Sequence, residues 1–445
     1  MSKSVLVKNI FSVGIIQVVN YLFPLITIPI VTRIIGPDKF GVLNFTTAFV
    51  AYFVLLIGYG FDLTATRRIA ADPDNVDKRS KVFSEVFSTQ CLLMLVSIVF
   101  FVIVMLFVPQ FREERLVAAF TFITCFATLM TQNWLFQAMQ DLPKIAILNM
   151  ISKVLFTTVI VLTIREKSDY IWIPLIISSI DLTIATASFI WAIYKYKLKL
   201  YVSKLRFCLE LLWEEKIYFF SLCVISLYSN TNIIVLGMVQ KPEEVGYYTA
   251  GLKLILIVKA LVFLPLAQAV FPYMGKAFGE SFQKGITIAQ KLIPVILSLT
   301  LFIGFGILIS SPLFIGFLYG EAFTPAIEVC RVLSFIPMLV ALNTVLGIHL
   351  MMNLKMDKQF FRIICLSAVV GIPLNYYLVR SYGYMGPAYT LVFIEVLNFV
   401  SLYAILKSRG IEIFNGSYFK PSYFYKMLQM LQRRAMAKYN AYLIG

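Results

Sequence analysis

The sequence predicts an all-α polytopic membrane protein whose twelve transmembrane helices form two halves of six. An apolar composition, a series of hydrophobic runs of helical length, and a short turn that occurs once in each half predict this fold class. Of the 445 residues, 60% are hydrophobic and 14% are charged, and the mean hydropathy is +0.84. Because the surface of a soluble protein must be largely polar, part of this chain must face lipid.

Twelve hydrophobic runs are long enough to cross a bilayer, which takes about 20 residues of helix. Each run must be helical, since only a helix or a closed barrel satisfies its own backbone in lipid and the runs are too long for barrel strands. The first run is too long for a signal-peptide core and is predicted to stay as span 1. The predicted spans are approximately 10–32, 42–60, 83–108, 116–137, 143–164, 170–194, 217–239, 247–270, 287–311, 324–349, 360–380 and 384–406.

Positively charged residues orient these spans. An even number of spans puts both chain ends on one side, and most of the 39 lysine and arginine residues lie in the ends and in the loops on that side. The positive-inside rule therefore places both termini in the cytoplasm. The net charge of +16 reflects this bias and the nearby anionic lipid headgroups. Because the basic residues are scattered over many loops, no nucleic-acid partner is predicted.

The loops leave little room for a separate catalytic domain. The longest loop on the outer side is about 310–323, and the inner loops 61–82 and 195–216 are too short to fold alone. The basic, aromatic tail 407–445 is open to two interpretations, an amphipathic helix on the inner membrane surface or a disordered end.

A repeated turn divides the chain into two halves. Pro37, Asp38 and Gly41 of "GPDKFG" correspond to Pro242, Glu243 and Gly246 of "KPEEVG", and each turn leads into an apolar run. Six spans per half give both halves the same topology, as in a parallel repeat about an axis along the membrane normal. The predicted domains are residues 1–205, residues 206–406 and the tail 407–445.

Charged residues deep in the spans are candidates for function, since each costs about 2.5 kcal/mol or more at mid-bilayer. Lys153, Lys259, Asp181 and Glu395 are central in spans 5, 8, 6 and 12. Lys253 lies about one helical turn nearer the outside, where its amine can reach the interface.

Span 10 carries the remaining candidates. Glu328 and Arg331 are three residues apart on one helical face, so they are either a self-neutralised structural pair or a substrate contact. His349, the single histidine, is either an ordinary interfacial residue or a titrating group.

The deep lysines indicate a cavity for an anion, because Lys and Arg are the usual partners of phosphate and acidic sugars. The deep carboxylates are candidates for proton transfer.

The six cysteines form no CxxC pair and lie mostly in apolar runs, so neither a disulfide nor a metal site is predicted. The sequence lacks a GxxxxGK[ST] phosphate loop. No cofactor is predicted, and proton or sodium coupling stays open.

Several stretches resemble the polysaccharide-exporting flippases of bacteria, within the superfamily of multidrug, oligosaccharidyl-lipid and polysaccharide exporters. The similarity is greatest to the O-antigen (Wzx-type) flippases and covers nearly the whole chain. The stretches are "YLFPLITIPIVTRIIGPDKFG", "DLTATRRIA", "NWLFQAMQDLPKI" and "NIIVLGMVQKPEEVGYYTAGLKL".

The resemblance implies two six-helix bundles around a central cavity. It implies that undecaprenyl-diphosphate-linked sugar repeats move from the inner to the outer leaflet of the bacterial cytoplasmic membrane by alternating access. The implied partners are this glycan, membrane lipids, and a glycan polymerase with its chain-length regulator.

Asn232 stands where the family often has an acid, which argues against a proton or cation role there. The positions typical of the family are Arg33, Gly41, Asp62, Arg67, Trp134, Gln137, Lys153, Lys253 and Glu395.

Together these considerations predict a substrate-binding set in which the diphosphate lies against the lysines. The predicted binding residues are Lys153, Lys253, Lys259, Arg67, Arg33 and Arg331, and the predicted coupling or structural carboxylates are Asp62, Asp181, Glu328 and Glu395. Two alternatives stay open: a drug or cation antiporter of the same superfamily, whose cavity should be acidic, and a membrane enzyme such as a glycan polymerase.

Overall fold

The computed structural model describes residues 3–260, 264–423, 425 and 429, and it contains no β-strand in these residues. We number its α-helices in chain order. Helices α1–α8 are Lys3–Gly58, Phe61–Ala70, Val76–Phe107, Pro109–Glu113, Arg115–Met130, Asn133–Ala138, Leu142–Thr163 and Trp172–Lys195. Helices α9–α16 are Leu205–Val239, Pro242–Val258, Leu264–Glu280, Phe282–Leu318, Ala326–Leu333, Ile336–Thr344, Asp357–Tyr382 and Gly386–Ser408.

The predicted spans fall on helical segments, several of them interrupted, except that residues 261–263 of span 8 lie outside the described residues. Spans 1 and 2 both lie in α1, which bends at Gly36 (φ 71°, ψ 175°); a residue with a Cβ rarely adopts this conformation. Span 10 is built from α13, α14 and a π-helical segment, Val345–Met351. Eight helical segments of the described residues are long and apolar enough to cross a membrane, or nine if the bent pair Leu205–Leu227 and Asn230–Val239 forms one span. The all-α polytopic class is confirmed, and the count of twelve stays a prediction.

The chain forms two compact units that do not follow its order. The first contains Met1–Ile257, Ser311–Val329 and Ala368–Thr390, and the second contains Val258–Ser310, Cys330–Ser367 and Leu391–Gly445. The first unit therefore holds the whole predicted N-terminal half together with parts of the C-terminal half.

Aromatic packing holds the core of the first unit together where α2, α3, α6 and α8 meet. The ring of Phe83 lies 5.7 Å from that of Trp134 and 5.5 Å from that of Phe189. Trp134 is 1% exposed and Phe83 is fully buried. Burial of such side chains contributes roughly 1.5–3 kcal/mol each, so these rings fix the helix ends beside them.

The core of the second unit is aliphatic. Ile293 of α12, Leu346 and Leu350 of the π-helical segment, and Leu402 and Leu406 of α16 are almost completely buried in one cluster. These side chains place α12, the end of span 10 and α16 around a common centre.

The two copies of the repeated turn meet inside the first unit. A Cβ on Gly41 would lie 1.7 Å from the carbonyl oxygen of Pro242, and a Cβ on Gly246 would lie 2.1 Å from that of Pro37. The contact is thus reciprocal, and it requires glycine at both positions. Lys39 anchors the first copy by an ion pair with Glu114, with a distance of 2.9 Å from Nζ to Oε1.

The segment that joins the predicted halves is bound along α3. Ser80, Ser84 and Ser88, spaced four residues apart on one face of α3, accept hydrogen bonds from the backbone N–H groups of Lys199, Tyr201 and Ser203. Every second residue of the extended segment therefore meets one turn of the helix, because two extended residues and four helical residues advance by about 6 Å.

The start of this joining segment is held by Asp141, which accepts hydrogen bonds from Lys195 and from the hydroxyl of Tyr196. Burial, together with the neighbouring Asp141 carboxylate, raises the pKa of Tyr196. The hydroxyl therefore stays protonated and keeps its role as a donor.

Most of the predicted tail lies outside the described residues. Within the described part, α16 ends at Ser408 and a single helical turn follows at Gly416–Phe419. The prediction of an amphipathic or disordered tail falls largely on residues that the structure does not describe, and it stays a prediction.

Candidate functional site

A polar cavity of about 330 Å³ lies inside the first unit, among α1, α2, α3, α5, α6, α7 and α8. Three of the predicted site residues line it: Lys153 on α7, Asp181 on α8 and Asp62 on α2. They are far apart in the sequence, and the packing of the helices brings them to one space.

Helix α7 supplies the cation of this cavity. Lys153 is half-buried, and its Nζ lies 5.1 Å from the ring centroid of Phe156. Among the described residues no carboxylate forms an ion pair with Lys153. Asn149 precedes it by one helical turn and lines the same cavity. The amine is therefore available to a ligand.

Helix α8 supplies a carboxylate that is held in place. Ser152, the neighbour of Lys153, donates a hydrogen bond of 2.5 Å from its Oγ to Oδ1 of Asp181. Such short hydrogen bonds to a charged acceptor are stronger than neutral ones. The bond orients Asp181 and leaves acceptor capacity on its other oxygen.

Helix α5 and Thr131, the residue that follows it, add a row of hydroxyl groups. Thr124, Thr128 and Thr131 line the cavity at intervals of four and three residues. The hydroxyls of Thr128 and Thr131 donate to the carbonyl oxygens of Thr124 and Ala127, at 2.9 and 2.7 Å. Each of these two hydroxyl hydrogens is thus used within the helix backbone, which leaves the oxygen as an acceptor for a ligand.

Two carboxamides complete the wall. Gln90 of α3, which is 3% exposed, accepts a hydrogen bond of 3.3 Å from Nε2 of Gln132 on its Oε1. Its own amide N–H groups stay available as donors. Asn133, at the start of α6, lines the cavity beside it.

The other predicted residues of the first unit lie elsewhere. Arg33 donates from Nη2 to the carbonyl oxygen of Phe317 at 2.9 Å and to that of Gly316 at 3.4 Å, at the C-terminal end of α12. Lys253 places its Nζ 4.6 Å from the ring centroid of Phe40. Glu328 accepts a hydrogen bond of 3.0 Å from the hydroxyl of Tyr384, and Arg67 is exposed on α2.

In the second unit Glu395 is a buried candidate, with 6% of its surface exposed. Asn343 donates from Nδ2 to Oε2 of Glu395 at 2.7 Å and to its backbone carbonyl at 3.0 Å. His349 is also buried, Lys259 is half-buried and Arg331 is exposed. Glu395 and Asn343 thus tie α16 to α14.

Most residues that line the cavity are uncharged, so the charged residues of the sequence identify only a small part of its wall. The missed residues are uncharged and polar, but they repeat at helical spacing within otherwise apolar spans: Thr124 and Thr128 on α5 with Thr131 directly after it, and Asn149 and Ser152 on α7. A search for polar residues three, four and seven positions apart within each span would identify these faces.

Helices long enough to cross a bilayer and a polar cavity lined by them define a polytopic membrane protein of transporter-like architecture. Solved structures share this fold. Lipid II flippase MurJ in an inward closed conformation matches with a TM-score of 0.70 and 12% identity, over 93% of this chain and 89% of that one. A multidrug resistance MATE family transporter of the MOP superfamily, in an inward-facing conformation, matches with a TM-score of 0.63 and 15% identity, over 89% and 96%. These likenesses show the fold.

The sequence shows the family. The family described as "Polysaccharide biosynthesis protein" matches residues 6–278, which is more than half of the chain, and this protein belongs to it. It is similar to the "Putative O-antigen transporter" of Escherichia coli (strain K12), at 27% identity over 399 residues, covering 88% of this chain and 94% of that protein. A protein of the same description from Shigella dysenteriae is 25% identical over 393 residues, with coverage of 88% and 97%. The predicted resemblance to polysaccharide exporters is confirmed.

Proposed function

We propose that this protein is a flippase that moves undecaprenyl-diphosphate-linked oligosaccharide repeat units from the inner to the outer leaflet of a bacterial cytoplasmic membrane by alternating access. Membership of the polysaccharide biosynthesis family supports this proposal. The names of the O-antigen transporters and the fold shared with a lipid II flippase support it further. The charge distribution along the chain favours cytoplasmic termini.

The observation that carries the proposal is the polar cavity around Lys153. A hydrophilic head group has to cross a hydrocarbon layer about 30 Å thick. Polar side chains that face the interior of a membrane protein are costly and mark substrate or ion pathways. The cavity offers an ammonium, two carboxylates, carboxamides and hydroxyls in one place, which suits a hydrophilic head group while the polyprenyl chain stays in lipid.

Coupling and partners complete the proposal. Asp62 and Asp181 line the cavity and are the candidates for proton or sodium coupling. A glycan polymerase and its chain-length regulator would receive the product on the outer side of the membrane.

The test is complementation of a strain that lacks this gene and therefore lacks its surface glycan. Lys153→Ala is expected to reach the membrane in normal amounts and to leave the lipid-linked repeat unit accumulated on the inner side. Lys81→Ala is the matched control, because Lys81 is exposed on α3 outside the cavity. Transport of the purified lipid-linked substrate in proteoliposomes gives the direct measurement. Failure of the unsubstituted protein to flip this substrate there would refute the proposal.

A second candidate is a drug or cation antiporter, and the composition of the cavity favours it. Asp62 and Asp181 give two carboxylates to the single amine of Lys153, and acidic cavities attract organic cations. An antiporter would confer resistance to cationic drugs that is lost with Asp181→Asn, without any change of the surface glycan. If Asp181→Asn instead loses the surface glycan and keeps its resistance to cationic drugs, the result favours the flippase.

A further inference from the structure

We infer that the cavity around Lys153 binds an uncharged sugar of the repeat unit through its hydroxyl groups, and that the diphosphate binds elsewhere. This inference rests on the proposed function and assigns one part of the substrate to one site. It departs from the expectation that the diphosphate lies against Lys153.

The balance of charge argues against a diphosphate in this cavity. Its lining contains one ammonium, Lys153, and two carboxylates, Asp62 and Asp181. A diphosphate carries several negative charges, and charges of like sign repel each other strongly in a site of low dielectric constant. The described residues that line the cavity include no arginine, although the guanidinium group is the side chain best suited to bind phosphate oxygens in pairs.

The balance of donors and acceptors points the same way. Diphosphate oxygens only accept hydrogen bonds, whereas the carboxylates of Asp62 and Asp181 and the hydroxyl oxygens of Thr128 and Thr131 offer only acceptors. A sugar hydroxyl donates and accepts at the same time. It therefore matches a wall on which these acceptors stand beside a donor such as Lys153.

The geometry keeps both charges available for such a ligand. Lys153 and Asp181, both within the part of the chain that the structure describes, line the same cavity without forming an ion pair with each other. Ser152 orients Asp181 by its 2.5 Å hydrogen bond. Adjacent hydroxyls of one sugar ring, of which one donates to Asp181 and the other accepts from Lys153, would satisfy both groups without a net charge.

The size of the cavity agrees with a sugar. A volume of about 330 Å³ lies at the lower end of the range of roughly 300–1,000 Å³ for small-molecule sites. It suits one or two sugar rings.

Substitution of Asp181 distinguishes a bound sugar from a bound diphosphate, because it should weaken binding of the sugar and tighten binding of the diphosphate. Asp181→Asn removes a negative charge and a strong acceptor but keeps the shape of the side chain. If a sugar occupies the cavity, loss of this charge-assisted hydrogen bond weakens sugar binding by about tenfold or more. If a diphosphate occupies it, the same change removes a repulsion and tightens diphosphate binding.

The measurement is isothermal titration calorimetry on the purified full-length protein in nanodiscs. The probes are the phosphate-free oligosaccharide, released by mild acid from the lipid-linked repeat unit, and inorganic pyrophosphate. We expect the oligosaccharide to bind, Asp181→Asn to weaken it by about tenfold or more, Lys81→Ala to leave it unchanged, and pyrophosphate not to compete. Competition by pyrophosphate, or tighter pyrophosphate binding by Asp181→Asn, would overturn the inference.

Two controls keep the test decisive. Asp62→Asn repeats the experiment on another wall of the cavity, and it replaces Asp181→Asn if that variant does not fold. Transport of the lipid-linked substrate is measured separately in proteoliposomes. Normal transport without oligosaccharide binding overturns only the inference, whereas oligosaccharide binding without any transport overturns the proposed function.

Discussion

Gly41 lies directly against the backbone of Pro242: a Cβ added to Gly41 would come within 1.7 Å of the carbonyl oxygen of Pro242. The corresponding residues of the other copy of the turn, Gly246 and Pro37, form the same contact at 2.1 Å. Each glycine is needed because a carbonyl oxygen of the opposite backbone occupies the space of its side chain.

Gly41→Ala is therefore expected to destabilise the protein by about 1–3 kcal/mol, since the backbones must move apart to admit the methyl group. The measurement is the thermal unfolding midpoint in detergent. Gly306→Ala in α12 is the control, because a Cβ there meets nothing within 4 Å and alanine favours a helix by roughly 0.5–1 kcal/mol over glycine. A Gly41→Ala variant as stable as the control would contradict the close contact.

Arg33→Ala is expected to lower stability by about 1 kcal/mol, because Arg33 donates to two carbonyl oxygens at the C-terminal end of α12 and a cation there stabilises the helix. Binding of the free oligosaccharide should not change, since Arg33 does not line the cavity. Thermal unfolding and calorimetry check the two parts. Weakened binding at unchanged stability would instead make Arg33 a ligand-binding residue.

Ser84→Ala is expected to loosen the joining segment 196–204. Ser84 is fully buried, and its Oγ donates to the carbonyl oxygen of Lys199 and accepts from the N–H of Tyr201. Leaving such backbone groups without a partner costs about 1–3 kcal/mol. Lys197, Lys199 and Lys204 in this segment are trypsin sites, so faster tryptic cleavage there is the measurement. Ser408→Ala, an exposed serine, should leave the cleavage rate unchanged.

Glu395→Gln and Glu395→Ala are expected to differ in stability. Glutamine keeps an acceptor for Nδ2 of Asn343, whereas alanine removes the side-chain acceptor, at a cost of about 1 kcal/mol, and leaves Nδ2 only its bond to the backbone carbonyl. Thermal unfolding measures this difference. Transport by Glu395→Gln then decides the role of the charge: normal transport shows that Glu395 is structural, and loss of transport in a stable Glu395→Gln protein shows that its ionisation is required.

Sequence reasoning identifies part of the candidate site correctly because burial cost is a local property. Lys153 and Asp181 stand out as charges in the middle of apolar runs, and the structure places both in one cavity. The same reasoning does not separate them from Lys253, which packs on Phe40, or from Glu395, which holds Asn343. A charged residue in the middle of an apolar run looks the same in the sequence whether it binds a ligand or holds a neighbouring side chain.

The sequence by itself determined the membrane class, the helical spans and the repeated turn, because hydropathy and turn chemistry act over a few neighbouring residues. Only the tertiary structure decided which deep charges share a cavity, that Arg33 caps α12, and that the two turns press together through Gly41 and Gly246. Those relationships join residues far apart in the chain, and the packing of whole helices sets their distances.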